Sequence, residues 1–98
     1  MVRVRDVFQI HPEHMREVKS AVLDMRDLGK RMGYPQMRVL TDFIGEYYTL
    51  VLESDYPSLN EWEQALTKSF GDKEWQAKYG KIRPMVRGGR REIFQVLE

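Results

Sequence analysis

The chain of 98 residues carries 16 lysines and arginines against 15 aspartates and glutamates, a net charge of +1, with 42% hydrophobic and 32% charged residues. That length supports one folded domain, and the near-neutral balance excludes the strong field that nucleic acid or an anionic membrane surface calls for. Cysteine is absent, which removes disulfides, thiolate catalysis and Cys-ligated zinc or iron–sulfur centres. No apolar run reaches the ~20 residues of a membrane helix, and the opening MVRVRDVFQI has no apolar secretory segment, so a cytoplasmic setting is expected.

The first element is a strand over Val2 to Ile10. Val2, Val4, Phe8 and Ile10 share one face, interrupted by Asp6, and Arg3, Arg5, Val7 and Gln9 share the other. Pro12 suits a first helical turn better than a strand, so the strand stops at His11. From Pro12 to about Met32 the apolar positions Met15, Val18, Val22, Met25 and Met32, widened by Ala21 and Leu28, recur at helical spacing. Glu13 and Glu17 near the start and Lys30 and Arg31 near the end suit the helix dipole, and Gly33 followed by Tyr34-Pro35 stops it.

Met37 to Glu53 reads as a hairpin of two strands reversing at Gly45. Ser58 followed by Glu61 is a capping box, opening a helix whose buried stripe is Leu59, Trp62, Ala65 or Leu66, and Phe70. Gly71-Asp72 breaks it, and Asp72 caps a second piece with Trp75, Tyr79 and Ile82 on one side; Pro84 ends that piece around Lys81 to Arg83. Gly88-Gly89 reads as a turn, and Arg91 to Leu97 as a last strand, with Ile93 and Leu97 opposite Phe94 and Val96.

The order β-α-β-β-α-β, with the second helix split, predicts an α+β, ferredoxin-like antiparallel sheet with its helices on one face, strands one and three central and strands two and four at the edges. The other sheet face is bare, and the hairpin leaves large apolar groups on it whichever side the helices take: Tyr47 and Val51 in one case, Tyr48, Leu50 and Leu52 in the other. Such a patch marks an interface or a ligand surface.

This strand order, the split helix, the SLNEWEQAL and DKEWQAKY segments and the paired Trp62 and Trp75 resemble the dimeric α/β-barrel superfamily, and within it the NIPSNAP-like proteins. The resemblance implies a single domain over residues 1–98. It also implies a homodimer packed through the open sheet face and a pocket between each sheet and its helices. The superfamily spans cofactor-independent monooxygenases, haem-degrading enzymes, muconolactone isomerases and proteins without known activity, so it carries no reaction across.

Candidate ligand contacts are Trp62, Trp75, Tyr79 and Phe70 as an aromatic wall, Tyr48 from the sheet and His14 from the helix entry; the aromatics also suit a packed core. His11, His14 and Glu17 have spacing that could in principle face a metal, but HExxH or another established pattern is absent, and surface or capping roles are the preferred reading, so no metal site is expected. Arg83, Arg87, Arg90 and Arg91 around Gly88-Gly89 could hold an anion, but cations at a helix C-terminus followed by a charged strand edge are the preferred reading. No cofactor is implied. An RNA-recognition domain shares the topology, but the aromatic signature on its third strand and a basic surface are both missing here. The expected function is binding of a small apolar molecule between sheet and helices; the alternative is a cofactor-independent monooxygenase or isomerase acting on a small aromatic or apolar substrate.

Overall fold

A computed structural model describes residues 1–97. Strand β1 (Val2–Ile10) leads through a 3-10 turn at Pro12–His14 into α1 (Met15–Arg31), then β2 (Arg38–Thr41) and β3 (Thr49–Tyr56). Helices α2 (Leu59–Phe70) and α3 (Lys73–Ile82) follow, then a 3-10 turn at Arg83–Met85 and β4 (Val86–Gln95). The sheet is antiparallel with order β2-β3-β1-β4, the central and edge strands expected of a ferredoxin-like α+β fold. Among the described residues no helix is long and apolar enough to cross a membrane.

The end of α1 shows how local chemistry sets the boundaries. Gly33 takes φ 84°, its N–H donates to the Lys30 carbonyl at 3.1 Å and the Tyr34 N–H donates to the Gly29 carbonyl at 2.9 Å. These are the two closing bonds of a Schellman motif, which satisfies the otherwise orphaned carbonyls of the last turn. Ser58 accepts from the Glu61 N–H at 3.2 Å and Asp72 from the Trp75 N–H at 2.8 Å, so both predicted caps start the helices they precede.

Three expectations are corrected. The reversal between β2 and β3 is not a tight turn at Gly45 but a seven-residue connection, 42–48, holding Phe43, Ile44 and Tyr47 almost wholly in solvent. Asp42 closes the ladder early: its N–H donates to the Thr49 carbonyl and its carboxylate accepts the Thr49 N–H at 2.9 Å. Gly45 has φ 152° and Tyr48 sits in the left-handed region at φ 58°, outside the strand that it was expected to join.

Gly88-Gly89 is no turn either. β4 runs through both glycines, pairing Gly88 with Gln9 and Gly89 with Phe8, and a bulge at Arg87 restores register so that Val86 meets Ile10. The strand ends at Gln95, leaving Leu97 exposed. Finally, Leu59 and Phe70, expected in the buried stripe of α2, are exposed; Ser69 is the residue of that helix that is buried.

The core explains the last point. Ile10, Leu50, Val18, Val22, Met25 and Ile82 form one buried cluster joining the end of β1 and the start of β3 to α1 and the end of α3. This half of the sandwich is filled, and burying such side chains contributes roughly 1.5–3 kcal/mol each. The other half of the sheet faces α2 across a gap.

Candidate functional site: a cavity between sheet and helices

The gap is a cavity of about 560 Å³, within the ~300–1,000 Å³ range of small-molecule sites. Its floor is the helix-facing side of β1 and β3, with Val4, Asp6 and Phe8 beside Leu52, Ser54 and Tyr56. Trp62, Ala65, Leu66 and Phe70 of α2 form the roof, and Gly29 of α1 with Trp75 and Tyr79 of α3 forms the wall toward the core. The α2 stripe thus faces a hollow, not a packed layer. The Tyr34 and Trp75 rings close over Gly29: a Cβ there would rest 3.5 Å from the Tyr34 ring and 3.6 Å from that of Trp75, in ordinary contact.

Tyr34 and Trp75 meet edge to face at 5.9 Å, and the Tyr34 hydroxyl donates to the Ala65 carbonyl at 3.2 Å, joining α1, α2 and α3 on one side of the cavity. Burial raises the Tyr34 phenol above its ordinary value, and the neighbouring Tyr56 and Asp72 raise it further. Tyr56 is raised too, first by burial and then by the negative charge of Asp6, so its hydroxyl is neutral and available as a donor.

Arg26, Ser69, Gln76 and Arg90 also reach the cavity lining, and one ion pair stands in its wall, Asp6 with Arg91. They are register partners on β1 and β4, and the Arg91 Nε–H donates to Asp6 Oδ1 at 2.6 Å. The Arg91 guanidinium also lies over the Trp62 ring at 5.2 Å, connecting the edge strand to α2. The sequence showed Asp6 as the one charge interrupting an apolar strand face; its partner was invisible because β1 and β4 lie at opposite ends of the chain.

Of the residues singled out from sequence, the cavity brings together Trp62, Trp75, Tyr79 and Phe70. His14 stands apart at the start of α1, its Nδ1 3.8 Å from a Glu17 carboxylate oxygen, and Tyr48 sits in the 42–48 connection with its ring 6.5 Å from that of Tyr47. Among the described residues no three histidine or acidic side chains gather as metal ligands, so His11, His14 and Glu17 do not converge. The arginines also diverge: Arg83 lies over Tyr79, Arg90 approaches Glu92 at 3.4 Å and Arg91 is engaged with Asp6.

The opposite face of the sheet is a lattice of ion pairs with apolar gaps. Arg3 donates to both oxygens of Asp55 at 2.8 and 3.0 Å, and Arg5 donates to Glu53 at 2.9 Å, with Arg38 3.9 Å from the same carboxylate. Glu53 is only 11% exposed beneath them. Val7 and Val51 pair at the centre, Leu40 lies beside Val51, and Phe94 sits under Arg5 at 5.2 Å. Of the apolar residues anticipated on this face, Val51 lies there, Tyr47 lies instead in the 42–48 connection, and Leu50 and Leu52 face the helices.

No family model matches the sequence, and no curated protein matches it. Solved structures match its fold along almost the whole chain. An uncharacterized NIPSNAP domain protein from Burkholderia xenovorans is 18% identical with a TM-score of 0.85, over 99% of this chain and 95% of that one. A NIPSNAP family protein from Agrobacterium tumefaciens is 16% identical with a TM-score of 0.85, over 99% and 86%. An antibiotic biosynthesis monooxygenase is 14% identical with a TM-score of 0.80, over the whole of both chains. At these identities the likeness is one of fold, and the fold is the ferredoxin-like α+β architecture that NIPSNAP and antibiotic biosynthesis monooxygenase structures share.

Proposed function

We propose that this protein is a NIPSNAP-like homodimer that binds a small apolar, aromatic molecule in the cavity between its sheet and helices, with Trp62, Trp75 and Tyr79 as contacts. The observation that carries the reading is the cavity itself: about 560 Å³ lined mainly by aromatic and aliphatic side chains, with polar groups such as Asp6 and Arg91 among them. Larger residues on either side would have filled the space, and the chain places Ser54 on the floor and Ala65 in the roof instead.

The homodimer is supported by the sheet face away from the helices. Leu40 and Phe94, both exposed, lie with Val51 on that face, and the surrounding arginines and carboxylates can repeat across a two-fold axis. The cysteine-free chain suits a cytoplasmic setting.

Thermal-shift titration against haem, flavins and small aromatics tests the ligand. A ligand at a hundred times its Kd contributes roughly 2.7 kcal/mol, which a melting curve resolves. A rise in Tm with aromatics is expected; a flat response to the whole panel would remove the binding role.

A second reading, a cofactor-independent monooxygenase or isomerase acting on a small aromatic or apolar substrate, is favoured by one observation: the Asp6 carboxylate lies in the cavity wall, where it can accept a proton from a bound compound. Oxygen uptake or isomer formation that disappears in Asp6→Asn is the result that would establish it.

A further inference from the structure

A carboxylate in the helix-facing side of a central strand is costly unless its hydrogen-bonding capacity is used. Arg91 engages one of its two oxygens, and the remaining capacity is open to solvent, the Asp6 side chain being 21% exposed. A guanidinium and a carboxylate commonly meet through two parallel N–H···O bonds. Here Nε–H donates to Oδ1, and among the described residues no second bond joins an Nη–H to Oδ2. The Arg91 guanidinium lies over the Trp62 ring, its carbon 5.2 Å from the ring centroid. One acceptor and one set of donors are thus left side by side in the cavity wall, next to an aromatic surface. The two side chains are 21% and 43% exposed, which sets this edge where the cavity meets solvent.

The charges of the pair cancel, and the other two arginines of the lining, Arg26 and Arg90, each lie 3.4 Å from a carboxylate of their own, Asp27 and Glu92. A cationic ligand drawn by Asp6 meets Arg91, and an anionic one drawn by Arg91 meets Asp6. The complement of the edge is a neutral group with its own donor beside its own acceptor.

We propose that the Asp6–Arg91 pair is the recognition edge of the cavity and selects flat, neutral aromatic ligands bearing a donor next to an acceptor, the cis-amide edge of a ring-fused lactam being the simplest form. The lactam N–H donates to Oδ2 of Asp6, its carbonyl accepts from an Nη–H of Arg91, and its fused ring lies along Trp62. This rests on the reading of the cavity as an aromatic-ligand site, and goes beyond it by naming the ligand's polar edge.

The test uses tryptophan-fluorescence or calorimetric titration of the full chain with three probes: carbostyril carrying a methyl group on carbon, its isomer methylated on nitrogen, and naphthalene. The isomers have the same size and apolar area, and only the first can donate to Asp6. It is expected to bind about tenfold or more tightly than the N-methyl isomer, as for a hydrogen bond to a charged group. In Asp6→Asn, with its fold checked by circular dichroism, that preference is expected to shrink several-fold. Equal binding of the two isomers to the unaltered protein overturns the recognition edge, whether or not the variant folds, and leaves the aromatic site standing if naphthalene binds. Failure of all three probes overturns the aromatic site and this edge with it. A preference that survives intact in a folded Asp6→Asn overturns the assignment to Asp6.

Discussion

Gly89 lies directly against the backbone of Phe8: a Cβ at position 89 would stand 3.2 Å from the Phe8 Cα and closer still to the Val7 carbonyl oxygen. Both obstacles belong to the central strand and cannot swing away. Gly89→Ala is expected to destabilise the protein by about 1–3 kcal/mol, the cost of forced overpacking. Gly88→Ala, with nothing within 4 Å of its Cβ, is expected to stay within about 0.5 kcal/mol of the parent. Urea unfolding of the two variants measures the contrast, and equal effects would contradict the close approach.

The filled and hollow halves of the sandwich predict a second contrast. Leu50→Ala removes a fully buried side chain of the core and is expected to cost about 2–5 kcal/mol. Leu59→Ala on α2 removes a side chain that is half exposed and is expected to change stability by no more than about 0.5 kcal/mol. Chemical denaturation of each variant checks this.

Asp55 gives a pH dependence of known sign. Its hydrogen bonds from Arg3 hold the carboxyl below its ordinary value, against a smaller opposing effect of burial and with added help from the charges of Arg3 and Arg38. A group lowered in the folded state binds its proton more readily in the unfolded chain. Its contribution is therefore present above the ordinary carboxylate range and lost as pH falls through the lowered folded value. Asp55→Asn should be less stable than the parent near neutrality, by a modest amount because the site is open to solvent, and the two should converge in strong acid. Melting curves across the acid range decide it.

The proposed dimer predicts that a charge placed in the apolar centre of the open face will separate the protomers. Leu40 is 44% exposed in the single chain, so Leu40→Glu should leave the monomer fold intact. Light scattering on a sizing column is expected to give a dimer for the parent and a monomer for the variant at micromolar concentration. A monomeric parent would remove the dimer.

Much of the fold was legible because its signals are local. The stripe of α1, the Gly33 stop and the Ser58 and Asp72 caps each depend on residues within a few positions of one another. What misled is also physical. Gly88-Gly89 looks like a turn because two glycines carry no side-chain alternation, and only β1, dozens of residues away, shows that the backbone there is paired. Phe43, Ile44 and Tyr47 look like strand, but the side chain of Asp42 takes the Thr49 N–H and ends the ladder. The aromatic wall was visible as Trp62, Trp75 and Tyr79, whereas the cavity was not, since an apolar helical stripe has the same spacing over a hollow as over a packed layer. Arg91, which completes the polar edge with Asp6, was seen only as one of four arginines near two glycines.

The position of β1 also bears on how the chain folds as it is made. β1 is synthesised first and lies in the middle of the sheet, yet one of its two ladders is with β4, where Val2 pairs with Gln95. Contacts of such sequence separation form late, because the closure entropy of the intervening chain precedes their reward. A nascent chain therefore holds a central strand with one open edge until β4 emerges, and in that interval the edge can recruit another strand. Slowing the delivery of β4 should then lower the yield of folded protein more than slowing any earlier segment.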